Sequence, residues 1–211
     1  MADMSLIAQA INQGDRDKTV ELTQKALGAG DNPQDIIAKG LQAGMAAVGE
    51  KFSSGEYFLP DMLMAARAMK AALEVLAPAL KETGIPTIGK VVIGTVEGDM
   101  HDIGKNVVAT FLSGNGFEVF DLGLNVPAQK FIDEVKEKQP DILGMSALLT
   151  TTMPVMGKVI KALEGAGLRS GVKVVVGGAP VTQDYADYIG ADGYAHDGGR
   201  AVPVCRELIG K

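Results

Sequence analysis

The chain has 211 residues, 46% of them hydrophobic and 5% aromatic, with no tryptophan and a formal net charge of -6. That length holds one large domain or two small ones with a substantial core, while acidic charge and scarce aromatic rings speak against nucleic-acid binding. Its single cysteine, Cys205, excludes an intrachain disulfide and a cysteine-rich zinc site.

Read from the start, M-A-D-M-S-L-I-A-Q-A lacks a basic region followed by a long apolar stretch. S-L-I-A-Q-A-I has helical spacing, G-D at 14–15 interrupts it, and D-K-T-V-E-L-T-Q-K-A-L resumes it. After G-A-G-D-N-P, Asn32 and Pro33 give a cap and first-turn signal for a helix over about 34–52. F-S-S-G-E-Y-F-L-P ends that helix, and a fourth is expected over about 60–82, with Asp61 in its first turn. The apolar run near 59–80 is broken by Asp61, Arg67, Lys70 and Glu74, so no membrane span is expected and a cytoplasmic protein is. Short connections imply a small antiparallel four-helix bundle over 1–84.

A linker at 85–89 leads into a different pattern over 90–211. Strands are predicted at 91–96, 118–122, 142–146, 173–177 and 192–195, alternating with helices at about 103–114, 127–138, 154–167, 181–189 and 199–209. The alternation implies a mostly parallel, doubly wound sheet whose strands are apolar on both faces. Ligands of such sheets bind beyond the carboxyl ends of the strands. Asp99, His101 and Gly104 follow the first strand, Gly123 and Asn125 the second, Ser146 to Thr152 the third, and Gly177-Gly178 the fourth.

His101 lies in E-G-D-M-H-D-I-G-K-N. A lone loop histidine is more often incidental than functional, but Asp99 is close enough to fix its tautomer and free the other nitrogen for a metal. Zinc fits poorly, since the only other histidine is His196 and no cysteine is near. A metal already held in an organic macrocycle needs only one protein ligand. The loop lacks the phosphate-binding patterns G-x-x-x-x-G-K-[S/T] and G-x-G-x-x-G. Two readings of S-A-L-L-T-T-T-M stay open: a helix start capped by Thr152, or one wall of a slot with a hydroxyl completing an Asp-His relay.

Taken in order, D-M-H-D-I-G at 99–104, S-A-L at 146–148 and G-G at 177–178 resemble the cobalamin-binding pattern D-x-H-x-x-G, S-x-L, G-G. Over about 5–209 the chain resembles the small corrinoid proteins of methyltransferase systems, and the corresponding module of cobalamin-dependent methionine synthase. The resemblance implies a Rossmann-like cobalamin domain behind a four-helix cap domain. It implies that His101 is the lower ligand of cobalt, hydrogen-bonded to Asp99, with Thr152 extending the relay where many relatives have serine. Ser146 would contact the buried nucleotide base, Leu148 would line the slot, and Gly104, Gly177 and Gly178 would allow close cofactor approach. Phe52 and Leu59 correspond to apolar residues that cap the reactive face, although both also read as core residues at a helix junction.

The implied function is that of a methyl carrier, not a complete enzyme. The methyl group would be taken by Co(I) from a partner substrate:corrinoid methyltransferase. Methyl-Co(III), as in methylcobalamin, would then yield it to a second methyltransferase acting on a thiol or reduced pterin (a tetrahydropterin). A reductive activation protein is the third implied partner. Methanol, methylamines, methoxylated aromatics and betaines are the implied donors. The alternatives are a detached subunit of an adenosylcobalamin mutase, a cobalamin-based sensor, and an α/β switch domain without cobalamin.

Overall fold

A computed structural model describes residues 2–80 and 87–211. Two compact units are present: residues up to Thr87 with Gly114–Gly116, and Ile88–Ser113 with Phe117–Lys211. The expected domain boundary at 84, the first two residues of the 85–89 linker and the last two of the expected 60–82 helix lie outside the described residues.

In the first unit, α1 (Met4–Asn12) and α2 (Arg16–Gly28) begin at Asp3 and Asp15, whose carboxylates accept the amides of Ser5 and Lys18. Asn32 caps α3 (Pro33–Asp35) through the Gln34 amide, with Pro33 in the first turn as its fixed φ favours. The single helix expected over 34–52 is compound: α3 passes through a π-helix, Ile36–Gln42, into α4 (Ala43–Ser53). Its glycines make room for α1. A Cβ on Gly40 would stand 3.1 Å from Ile7, and one on Gly44 would stand 2.6 Å from Ile11 and 2.7 Å from the Ala8 carbonyl. The last long helix, α5 (Leu59–Leu76), gives way to a 3-10 turn, Ala77–Leu80. Pro78 has no amide for the Glu74 carbonyl, which ends regular α bonding there.

The second unit is a five-stranded sheet in the order β2-β1-β3-β4-β5, every pair parallel. Its strands are β1 (Lys90–Thr95), β2 (Glu118–Asp121), β3 (Ile142–Ser146), β4 (Lys173–Gly177) and β5 (Gly193–Tyr194). The connecting helices are α6 (Ile103–Gly114), α7 (Ala128–Lys138), α8 (Pro154–Gly165), α9 (Gln183–Ile189) and α10 (Gly198–Leu208). Val92, Leu143, Met145, Val174 and Val176 pack on one face with Phe131, Ile132, Met156, Ile160 and Ala186 of α7, α8 and α9. On the other side α10 meets α6, with Gly198 set against Phe111 and Val107. Each buried aliphatic side chain contributes roughly 1.5–3 kcal/mol. Among the described residues no helix is long and apolar enough to cross a membrane.

The strand order reverses between β1 and β3. Thr95 pairs with Ser146, and the Val96 amide donates to the Ser146 carbonyl at 3.0 Å. Beyond that pair the chains diverge toward different helices, which opens a crevice at the carboxyl edge of the sheet. His101 and Thr152 lie on the two loops that leave this point.

Candidate functional site

Asp99 organises the crevice. Its carboxylate is 0% exposed, a setting that a charge tolerates only when hydrogen-bonded. Oδ1 accepts from His101 Nδ1 at 2.7 Å and from the His101 amide at 3.1 Å. Oδ2 accepts from the Leu148 amide at 2.8 Å, the Leu149 amide at 3.2 Å and the Thr152 hydroxyl at 2.7 Å. Burial pushes the Asp99 carboxyl up, but the Thr152 and His101 side-chain bonds and the Leu148 and His101 amides outweigh it, holding it well below the usual carboxylate range.

An ionised Asp99 can only accept, so the proton between the side chains belongs to His101 Nδ1. In the neutral ring Nε2 then carries the lone pair. The His101 side chain is 49% exposed, and among the described residues no hydrogen-bond partner is found for Nε2. Behind the ring, the Thr95 hydroxyl donates to the His101 carbonyl at 2.9 Å. Thr95 is fully buried at the end of β1.

Thr152 does not cap α8: the residue at that cap is Met153, with no side-chain cap bond. The Thr152 hydroxyl lies 2.7 Å from Asp99 Oδ2 and 2.8 Å from the Leu149 carbonyl. The bond to the ionised oxygen is the stronger of the two. Ser146 ends β3 half-buried between Thr95 and Gly177. Leu148 exposes its side chain while its amide faces Asp99.

The three motif glycines differ in kind. A Cβ on Gly177 would stand 2.5 Å from the Ala195 carbonyl, and one on Gly178, at φ 125, would stand 1.9 Å from the Ala147 carbonyl. The neighbouring backbone therefore demands both glycines, whatever approaches from outside. A Cβ on Gly104 would meet nothing within 4 Å. Phe52 and Leu59 lie in the helical unit, Phe52 half-buried near the end of α4 and Leu59 opening α5 at 37% exposure. Thr95, the Leu149 amide and the amide function of Leu148 escaped sequence reasoning, because side-chain identity does not encode where a backbone amide points. The one available signal was the polar Thr95 closing an apolar strand.

The B12 binding domain family matches residues 89–205, and a second B12 binding domain family matches residues 6–77. Dimethylamine corrinoid protein 1 of Methanosarcina acetivorans is 47% identical over 204 residues, covering 96% of this chain and 95% of its own.

The chain belongs to the B12-binding corrinoid proteins.

A crystal structure of a cobalamin-binding protein from Desulfitobacterium hafniense superposes with a TM-score of 0.87 at 38% identity, covering 99% of each chain. A chain of the methanol:cobalamin methyltransferase complex of Methanosarcina barkeri matches at 0.82 and 35% identity, over 99% of this chain and 80% of that one.

The residues present suit the family's cofactor. His101 offers one outward nitrogen with its tautomer fixed from within. Around it Met100, Ile103, Leu148 and Leu149 are 65%, 70%, 43% and 41% exposed. Apolar side chains gathered in the open about a polar point mark a binding surface. Among the described residues no three His, Cys, Asp or Glu side chains form a metal cluster. A single imidazole matches a metal that arrives already ringed by its own macrocycle.

Proposed function

We propose that this corrinoid protein ferries a methyl group between two partner methyltransferases, with His101 as the protein's ligand to cobalt. The observation that carries the reading is the 2.7 Å bond between His101 Nδ1 and Asp99, which leaves Nε2 as the donor atom. When bound, the corrinoid supplies a cobalt that accepts the methyl group from one partner and yields it to the other.

The chain's own residues do the rest. Asp99 holds the imidazole in its tautomer and orientation, as outer-shell carboxylates do for metal-bound histidines. Thr152 and the Leu148 and Leu149 amides hold Asp99 ionised. Met100, Ile103, Leu148 and Leu149 give apolar surface to the incoming ring, while Gly104 leaves the approach open. Ser146 would contact the nucleotide arm of a bound corrinoid, and Gly177 and Gly178 let the neighbouring backbone at Ala195 and Ala147 pack closely. Phe52 and Leu59 match the family's apolar cap residues, and an apolar cap over a reactive face limits reaction with water and oxidants.

The acceptor would be a thiol or a reduced pterin on the second methyltransferase, a reductive activation protein would be the third partner, and the compartment would be the cytoplasm. Relatives named for dimethylamine, and a complex named for methanol, support a donor among small methylated amines and alcohols, with its recognition lodged in the partner.

The test is anaerobic reconstitution followed by electron paramagnetic resonance of the Co(II) state, beside His101→Ala. Splitting by a protein nitrogen that disappears in the variant is the expected result. Loading with identical spectra for both proteins removes His101 from the cobalt, and failure to load removes the carrier reading altogether.

A further inference from the structure

The end of β2 and the loop that follows it bind the segment that carries His101 at both ends. Asn125 sits at φ 51, in the left-handed region. There its Oδ1 accepts the Gly98 amide at 2.7 Å and its own amide donates to the Asp99 carbonyl at 3.0 Å. Farther along, the ammonium of Lys105, 2% exposed, donates to both Asp121 oxygens at 2.7 and 2.5 Å. Asp121 Oδ1 also accepts the Gly123 amide at 2.9 Å. The segment carrying His101 is thus tied at Gly98–Asp99 in front and at Lys105 behind.

The left-handed backbone of Asn125 is informative. Residues with a Cβ enter that region at an energetic cost, asparagine more readily than most. Such a conformation persists only where the surroundings over-determine it. Here it aims the side chain and the amide of one residue at two successive residues of the neighbouring loop. Neither bond touches the Asp99 carboxylate or the imidazole. They fix the backbone from which both side chains spring.

We propose that Asn125 is a positioning residue for His101, setting where the imidazole stands by pinning the backbone at Gly98 and Asp99. The inference rests on the reading of His101 as the cobalt ligand. With Lys105 holding the rear, loss of Asn125 frees only the front of the loop. A metal ligand whose support lets it drift by more than about 0.5 Å from its productive position binds less well, so the effect falls on ligation and not on the fold.

Two substitutions separate the contributions. Asn125→Gly takes the left-handed backbone without strain but has no side-chain acceptor, whereas Asn125→Asp retains an acceptor in a residue that also tolerates that region. In cofactor-free, isotope-labelled protein, the Gly98 amide exchanges roughly tenfold faster in Asn125→Gly than in the wild type, and Asn125→Asp restores its protection. In the loaded proteins, Asn125→Gly loses much of the nitrogen splitting from its Co(II) spectrum and shifts its Co(II)/Co(I) midpoint to more positive potential. Asn125→Asp recovers both. A merely structural role moves neither the splitting nor the potential.

Asn125→Gly with wild-type splitting and potential overturns the proposal, as does Asn125→Asp that fails to recover them while protecting Gly98. A wild-type spectrum that already matches His101→Ala is a different failure. It strikes the ligand reading itself and takes this inference with it.

Discussion

Thr152 and Asp99 share a bond whose worth each residue can report. Thr152→Val removes a hydroxyl from a fully buried acceptor and costs about 1–3 kcal/mol of stability in the cofactor-free protein, whereas Thr152→Ser keeps the donor and costs less than about 1 kcal/mol. Urea unfolding of the three proteins checks the order. Asp99→Asn reports the charge. Because the folded-state carboxyl is held below its ordinary value of 3.8, the stability it contributes is whole above that value and drains as pH falls through the lower folded value. The wild type therefore loses more stability than Asp99→Asn between about pH 6 and pH 3 in cofactor-free protein, and equal losses count against the ionised network. Elsewhere, burial pushes the Cys205 thiol up to about 12. In the native protein at about pH 8 it reacts with a disulfide reagent at least ~100-fold more slowly than in denaturant. At this scale the identities of Asp99 and His101 were legible as a motif, but the amides of Leu148 and Leu149 carry no signature of their direction.

Between strands, the motif glycines act in two ways that pattern matching merges. Gly178 stands where a side chain would collide with the Ala147 carbonyl at 1.9 Å, in a backbone at φ 125. Gly178→Ala is expected to cost at least ~3 kcal/mol or abolish folding, with or without corrinoid. Gly104 faces open space inside the first turn of α6. Gly104→Ala should leave cofactor-free stability unchanged or raise it by up to about 1 kcal/mol, since alanine favours a helix over glycine. On the proposed reading of Gly104 as a point of cofactor approach, the same substitution should weaken corrinoid loading. Thermal melts and loading titrations on both variants distinguish the two roles. The elements were largely readable because their apolar periods are clean. The short β5 was read two residues too long, as a strand with a single pairing edge is limited by its neighbour and not by its own composition.

For the whole chain, the described residues form two compact units. What composition could not supply was the strand order. That order places β1 beside β3 and brings residues about fifty positions apart, Asp99 and Leu148 or Thr152, within bonding distance. Parallel pairing of non-adjacent strands is a tertiary outcome, and local propensity leaves it unspecified. Ligand binding to such a preformed rim adds to the stability of the native chain. At a thousandfold excess over Kd the gain is about 4 kcal/mol. Loading should thus raise the wild-type melting temperature, and His101→Ala at the same corrinoid concentration should show a smaller rise.

The π-helix within residues 36–42 has a genealogical consequence. A π segment accommodates an extra residue inside an otherwise regular helix, so an insertion is stored there as altered bonding and needs no loop. Ala38 is exposed, while Ile36, Ile37, Gly40 and Leu41 are buried. Deleting Ala38 should convert the segment to ordinary α-helix and keep α4 facing α1 through Gly44 and Ile11. A relative one residue shorter would then align with its gap in the middle of a helix, where gaps are ordinarily disallowed.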